Sequence, residues 1–203
     1  MPTGAPVRAA QRAATRARLL DAAVDTLLAH GYAGTSTVAV QRAAGASRGA
    51  LLHHFPTRGQ LVEALVAELV ARNEAVVLAA LAADPDGERD VRRAIGALSE
   101  VLASESFRAE LELWAAARTD PELRGALRAA EIRSRRDLGR VLDAAFGDAA
   151  SQPGYRLVAE LTVTLLRGLA IARPLQESDR TGRRLLDEWA SAATALLSSG
   201  RAS

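Results

Sequence analysis

The chain has no cysteine and no lysine, and aromatic residues make up only 3% of its 203 residues. Without cysteine, disulfides, thiolate metal sites and cysteine nucleophiles are excluded. The sequence also lacks an apolar run of about 18 residues, so we expect no membrane-spanning helix. Hydrophobic residues at 49% and charged residues at 25% are typical of a globular protein that buries its own core.

Positive charge is concentrated at the N-terminal end, and all 26 basic residues are arginine. Residues 1–58 carry seven arginines against two aspartates, a net charge of +5, whereas the rest of the chain carries −3. This asymmetry favours a polyanionic partner for the N-terminal region. For residues 1–10, which contain no acid, we predict a disordered basic arm. No secretory signal pattern is present, so the expected location is the cytoplasm.

Helical spacing of apolar residues runs through almost the whole chain, without the alternation that marks strands. We therefore predict an all-α fold of about nine helices, three small ones followed by six longer ones. Gly31 and Gly45 are expected to end the first two helices, and Pro174 to separate the last two. Loops are expected at 84–87 and 147–154.

The pattern of residues 36–55 predicts two short helices joined by a glycine-containing turn, which is the arrangement of a helix-turn-helix motif. Ser36 and Ser47 are the predicted N-caps, and Gly45 supplies the positive φ of the turn. The second helix of such a motif enters the major groove of DNA. Serine hydroxyls and the nearby Arg48 supply donors for phosphates and bases. The pattern favours binding of double-stranded DNA over a plain helical hairpin.

Residues 16–65 resemble the DNA-binding domain of the tetracycline-repressor (TetR) family. The resemblance implies an N-terminal three-helix helix-turn-helix domain over 11–58. It also implies a C-terminal helical ligand-binding and dimerisation domain over 59–203. The matching pieces, in order, are Leu20-Asp21-Ala22-Ala23, His30-Gly31-Tyr32, Thr35-Ser36, Ala44-Gly45-Ala46-Ser47-Arg48-Gly49, His54-Phe55 and Thr57-Arg58 followed by Leu61.

The resemblance also assigns contacts with DNA. It implies that Arg48 reads a base, since arginine can bind guanine through two hydrogen bonds. Thr37 and Val38 would touch phosphate or a base edge, and His53 and Arg58 would hold phosphates. The complete predicted DNA-binding set is Ser36, Thr37, Val38, Ser47, Arg48, Gly49, Ala50, His53 and Arg58.

The chain departs from the family at Leu52, where a tyrosine usually reaches a phosphate. It also departs at Gln41, where the family usually has a small alanine. The alternatives for this glutamine are contact with DNA and exposure to solvent, and we expect it to be solvated. From the N-terminal arm, Arg12 and Arg16 would add attraction for the minor groove or the backbone.

The remaining helices resemble the region of the family that binds a small-molecule effector and forms a homodimer through the last two helices. Each candidate ligand residue there has an ordinary structural alternative. The apolar ones can be core, Glu110 can pair with an arginine, and Arg167 can reach solvent or a partner. The candidates are Phe107, Glu110, Leu111, Trp114 and Arg167.

These features predict a homodimeric transcriptional repressor that a small molecule releases from an inverted-repeat operator, with no cofactor, no metal and no membrane association. One alternative is a helical DNA-binding protein without ligand control, either architectural or a constitutive regulator. A remote alternative is a serine hydrolase, because Gly45-Ala46-Ser47-Arg48-Gly49 fits G-x-S-x-G. That motif requires a strand before the serine, so we expect no enzymatic activity.

Overall fold

The structure is a computed structural model that describes residues 4–83, 90–175 and 178–199. All regular elements within these ranges are helical, which confirms the predicted all-α fold. Three 3₁₀ turns lie at Glu100–Ala103, Gly147–Ser151 and Arg173–Leu175. The helices are α1 (Gly4–Gly34), α2 (Thr37–Ala43), α3 (Arg48–His54), α4 (Arg58–Ala82), α5 (Val91–Ser99), α6 (Glu105–Ala117), α7 (Pro121–Phe146), α8 (Tyr155–Ala172) and α9 (Arg180–Ser199).

Helix ends follow the local signals in the sequence. Gly31 has a φ of 66° and breaks the helical geometry of α1, after which a short helical turn continues to Gly34. The Thr57 hydroxyl accepts the backbone N–H of Gln60 at 3.1 Å and begins α4. The Asp120 carboxylate accepts the N–H of Leu123 at 2.9 Å and begins α7. Each is a side-chain cap that the residue type predicts.

The structure corrects the prediction for residues 1–10. Helix α1 begins at Gly4, so residues 4–10 are helical where we predicted a disordered arm. Three of these seven residues are alanine and one is arginine, both of which favour helix, and Pro6 lies in the first turn, where proline is tolerated. The predicted loop at 147–154 contains a 3₁₀ turn over its first five residues. The predicted loop at 84–87 lies outside the described residues.

The chain divides into two compact units, and the first comprises residues 4–70 and 108–132. Its core joins aliphatic side chains of α1 to those of the short helices and of α4, α6 and α7. The predicted functional boundary between residues 58 and 59 stays a prediction. Fully buried members of this core include Leu19, Leu27, Val40, Leu65, Leu69 and Leu113.

The second unit comprises residues 71–107 and 133–199. Here α5 contacts α9, and Arg92 forms an ion pair with Asp187 across them at 3.2 Å. Helices α8 and α9 are joined by a hydrogen bond from Trp189 Nε1 to the buried Thr162 hydroxyl at 2.8 Å. Among the described helices, none is both long and apolar enough to cross a membrane.

Candidate nucleic-acid interface

The helix-turn-helix of α2 and α3 is defined by a serine cap at each helix start. Ser36 Oγ accepts from the backbone N–H of Ala39 at 3.1 Å, and Ser47 Oγ accepts from that of Ala50 at 3.1 Å. Between the helices, Gly45 has a φ of 58°, which residues with a side chain rarely adopt. The caps and the turn are therefore confirmed as predicted.

The Gln41 side chain stabilises this turn with a hydrogen bond, which corrects our expectation that it is solvated. Its Nε2 donates to the carbonyl oxygen of Ala46 at 3.0 Å. The backbone N–H of Ala46 in turn donates to the carbonyl oxygen of Gln41 at 3.1 Å. Because the two bonds span the turn in opposite directions, they fix the start of α3 relative to the end of α2.

The inner side of the motif is apolar. Val40 on α2, Leu51 on α3 and Phe55 after it are buried in the core of the first unit, and both short helices contact α1. Helices of seven residues are not stable alone in water. The position of α3 therefore depends on this packing.

Most of the predicted DNA-binding residues are accessible to a partner. Val38 is 51% exposed. Ser36, Thr37 and Ala50 are half-buried. Ser47, Arg48, Gly49, His53 and Arg58 are exposed.

Arg58 makes a contact that sequence reasoning missed. Its guanidinium lies 4.4 Å from the centroid of the Tyr32 ring, and Nη2 donates to the Tyr32 carbonyl oxygen at 3.1 Å. Asp120, the residue that caps α7, lies close enough to Tyr32 to raise the pKa of its hydroxyl. The start of α4 and the start of α7 thus meet at one tyrosine. The resemblance pointed to Arg58 and Tyr32 separately, but no short-range pattern pairs residues so far apart.

Ser47 is a helix cap rather than an activated nucleophile. Its oxygen already accepts the N–H of Ala50, and it precedes α3 directly. The hydrolase motif requires a strand leading into the serine, and the described part of the chain around Ser47 is helical on both sides. The geometry lends the hydrolase alternative no support.

Comparisons with known proteins agree with this geometry. The sequence profile "Bacterial regulatory proteins, tetR family" matches residues 19–65. An uncharacterized HTH-type transcriptional regulator from Mycobacterium bovis is 30% identical over 169 residues, covering 80% of this chain and 84% of that protein. The chain belongs to the TetR family. It is a transcriptional regulator with a DNA-binding helix-turn-helix, and the resemblance seen in residues 16–65 is confirmed.

Solved structures of TetR-family regulators share the fold. A family member from Streptomyces coelicolor A3 superimposes with a TM-score of 0.63 at 26% identity, covering 86% of this chain and 97% of that one. The multidrug binding protein EbrR, complexed with imidazole, gives a TM-score of 0.60 at 25% identity, covering 86% of this chain and 93% of that one. The helical region that follows the DNA-binding motif is therefore also that of the TetR fold.

The predicted ligand residues of this TetR-family chain are divided between the two compact units. Glu110, Leu111 and Trp114 belong to the first unit, whereas Phe107 and Arg167 belong to the second. Phe107 is buried, and the other four are half-buried. Their role in ligand binding stays a prediction.

A cavity of about 260 Å³ lies within the second unit, and none of the predicted ligand residues lines it. Leu102, Leu169 and Leu186 supply apolar walls. The charged lining is mixed, with two arginines and two acids: Arg173, Arg183, Glu100 and Asp179. Arg173 is held in place by donating Nη1 to the carbonyl oxygen of Leu102 at 2.8 Å. The volume of the cavity lies slightly below the ~300–1,000 Å³ that is typical of small-molecule sites. Sequence reasoning missed it because its walls come from helices that are far apart in the chain.

The two tyrosines predict the behaviour of the protein at high pH. Burial raises the pKa of Tyr32, as does Asp120, while Arg58 acts in the opposite direction. Burial and the hydrogen bond to Asp143 raise the pKa of Tyr155. A group with a raised folded pKa stabilises the fold below its unfolded pKa, near 10, and this contribution is lost as pH rises.

We therefore expect the free energy of unfolding to fall above about pH 10. The free energy of unfolding can fall by at most ~1.4 kcal/mol per pH unit for each tyrosine. Solvent screening makes the fall smaller than this, because both rings are partly exposed. The chain has no lysine or cysteine, whose titration would overlap with that of the tyrosines. Urea unfolding at a series of pH values measures the slope. Replacing both tyrosines by phenylalanine should flatten it, and a slope that persists in that variant contradicts the assignment.

Proposed function

We propose that this TetR-family regulator is a cytoplasmic homodimeric repressor that binds an inverted-repeat operator and leaves it when a small molecule binds. The observation that carries the proposal is the start of α3. There Arg48 is exposed directly after the Ser47 cap, on a helix whose other side is packed into the core. A rigid helix with an exposed arginine in its first turn fits the readout of a guanine in the major groove.

The surrounding side chains supply the other contacts of the proposed interface. Ala50 fits the methyl group of a thymine, and the hydroxyls of Ser36 and Thr37 fit phosphates. His53 is exposed in the last turn of α3 and fits a phosphate as well. Arg58 uses one N–H on the Tyr32 carbonyl. A guanidinium has about five N–H donors, so enough remain for a phosphate.

Exposed apolar side chains on α8 and α9 support the homodimer. On α8, Leu157, Leu161 and Ile171 recur at helical spacing and are 41% to 66% exposed. On α9, Leu185 and Leu196 are similarly exposed. Apolar stripes on neighbouring helices are typical of surfaces that pair with a second protein chain. A two-fold dimer explains why the operator should be an inverted repeat.

Leu161→Glu should therefore convert the protein to a monomer and weaken operator binding. A charge at the centre of an apolar interface is left unpaired on association. Each unpaired buried charge typically costs about 2–5 kcal/mol, and a two-fold dimer of this variant contains two of them. Sedimentation measures the oligomeric state. Leu138→Glu is the matched control because Leu138 on α7 is 39% exposed, close to the 41% of Leu161. A dimer that survives Leu161→Glu argues against this interface.

The proposal that a ligand controls operator binding is supported by a structural relative and by a cavity in the second unit. The structural relative EbrR is a multidrug binding protein whose structure contains imidazole, and the second unit here contains a small cavity lined by apolar and charged side chains. A ligand that favours a different spacing of the two α3 helices lowers operator affinity by its coupling free energy, about 1–3 kcal/mol. The competing proposal, a constitutive regulator, predicts that operator affinity does not change with any compound that stabilises the protein.

Selection of bound duplexes from a random DNA pool tests the function directly. At ~0.15 M salt, nonspecific attraction to phosphates is weakened and base readout dominates the outcome. We expect one enriched inverted repeat whose half-sites are about one helical turn apart, ~34–36 Å. Enrichment of a single half-site argues against the dimer, and no enrichment argues against sequence-specific binding.

A further inference from the structure

The cavity of the second unit has an apolar floor and a charged mouth. It lies where the 3₁₀ turn after α5, the end of α8 and the start of α9 meet. In the floor, Leu169 is 8% exposed, and Leu102 and Leu186 are half-buried. The charged lining residues are all exposed and form the mouth. A molecule that enters this cavity therefore meets charged groups first and aliphatic side chains beyond them.

The two arginines of the mouth can bind an anion together. Arg173 follows α8 directly, and its bond to the Leu102 carbonyl oxygen at 2.8 Å holds the guanidinium at the cavity. A guanidinium has about five N–H donors, so others remain for a ligand. Arg183 lies in the first turn of α9 and is exposed. Because the planar fork of arginine matches a carboxylate, the ligand group that fits this side of the mouth is a carboxylate.

Of the two acids, Asp179 is directed towards the start of α9. A Cβ added to Gly182 would lie 3.3 Å from Asp179 Oδ1, so the carboxylate lies against the first turn of the helix. The Asp179 carbonyl oxygen accepts the backbone N–H of Arg183 at 3.1 Å. The free N–H groups at a helix N-terminus stabilise a negative charge there. The Asp179 charge therefore acts on α9 first.

Glu100 supplies the negative charge that a ligand can use. It is exposed at the first position of the 3₁₀ turn after α5. Within the part of the chain that the structure describes, no ion pair joins Glu100 to Arg173 or Arg183, although all three line one cavity. A molecule with one positive and one negative group would join these side chains.

We infer that this cavity binds a small zwitterion of the amino-acid type. Its carboxylate contacts Arg173 and Arg183, its ammonium contacts Glu100, and a short aliphatic side chain packs on the leucines of the floor. The small volume of the cavity suits a molecule of about nine non-hydrogen atoms, such as leucine. The inference rests on the proposed control by a small molecule, for which it names a site and a chemical class.

Three probes with the same aliphatic body test the ligand class. L-Leucine carries both charges, isocaproate lacks the ammonium, and isoamylamine lacks the carboxylate. Isothermal titration calorimetry on the full chain measures each affinity. We expect leucine to bind about tenfold or more tightly than either analogue, because each analogue loses a hydrogen-bonded contact with a charged group. Isocaproate that binds as tightly as leucine overturns the zwitterion, and leucine that does not bind overturns the site.

Two substitutions test the assigned contacts. Arg183→Gln should weaken leucine binding about tenfold, whereas Glu100→Gln should weaken the binding of leucine but not that of isocaproate. Both residues are exposed, so the fold should be retained, which circular dichroism checks. Arg184→Gln is the matched control, since this neighbouring arginine is exposed on α9 and is not part of the cavity lining. Equal affinity for leucine in Arg183→Gln and Arg184→Gln contradicts the inference.

Operator binding separates this inference from the proposed function. Saturating leucine should lower the affinity of the wild-type protein for its selected operator about 5- to 150-fold, the usual range of coupling between two sites. Leucine that binds at the cavity without changing operator affinity would support the site and contradict ligand control through it. A protein that selects an operator normally but does not bind leucine would contradict the site alone.

Discussion

Replacing Arg48 by alanine should sharply reduce the preference for the selected operator over unrelated DNA. A bidentate contact between arginine and guanine discriminates by about 1–3 kcal/mol, and a dimer on an inverted repeat loses two such contacts. The expected loss of specific affinity is therefore ~30-fold or more, measured by fluorescence anisotropy against the operator and a scrambled duplex. The fold should be unaffected, because Arg48 is exposed and its side chain takes no part in the helix cap.

Arg48→Lys separates base readout from charge. Lysine keeps the positive charge, so the salt dependence of binding should stay close to that of the wild type. It cannot present the planar fork of arginine, so preference for the guanine position should fall. Should Arg48→Lys retain full specificity, or Arg48→Ala lose affinity equally for both duplexes, Arg48 is a phosphate contact and the base is read by another residue.

Leu51→Ala should be the more damaging of two neighbouring substitutions on α3. Leu51 is 2% exposed and packs in the core of the first unit. Truncating a buried leucine removes its burial and leaves a cavity, at a cost of about 2–5 kcal/mol. Because α3 is too short to persist without this packing, operator binding should be lost together with stability. Urea unfolding followed by circular dichroism measures the change.

Leu52→Ala is the control, with the same residue type one position along and 42% exposed. A substitution at such a surface position usually changes stability by no more than about 0.5 kcal/mol. Comparable destabilisation by both variants would mean that α3 is seated differently from the structure described above. A stable Leu51→Ala protein that still fails to bind DNA would point to a local change in α3 instead of a loss of the core.

Local features of the fold were predictable from the sequence because each depends on a few neighbouring residues. Ser36 and Ser47 are caps, Gly45 and Gly31 require positive φ, and Asp120 starts a helix. The helix-turn-helix follows from these signals and from the buried spacing of its apolar residues. Arg48 was predictable as its first-turn arginine for the same reason, because it directly follows the Ser47 cap.

Features that depend on distant residues were not predictable in this way. The stacking of Arg58 on Tyr32 joins positions 26 residues apart, and the cavity is assembled from several helices. Gln41 was assigned to solvent because a lone polar residue on a short helix is usually solvated, yet it bonds across the turn. Residues 1–10 are predicted as a disordered arm because the pattern of a domain start follows them directly, whereas residues 4–10 are helical in the structure.

On α3, the residues that pack into the core and those that face outwards are different residues. Leu51 and, directly after the helix, Phe55 carry the packing, whereas Arg48 and His53 are exposed. Substitutions at the outward positions change the chemistry offered to DNA at little cost to stability. Descendants of a duplicated gene for such a protein can therefore acquire new operators by changing a few side chains, without compensating mutations elsewhere in the chain.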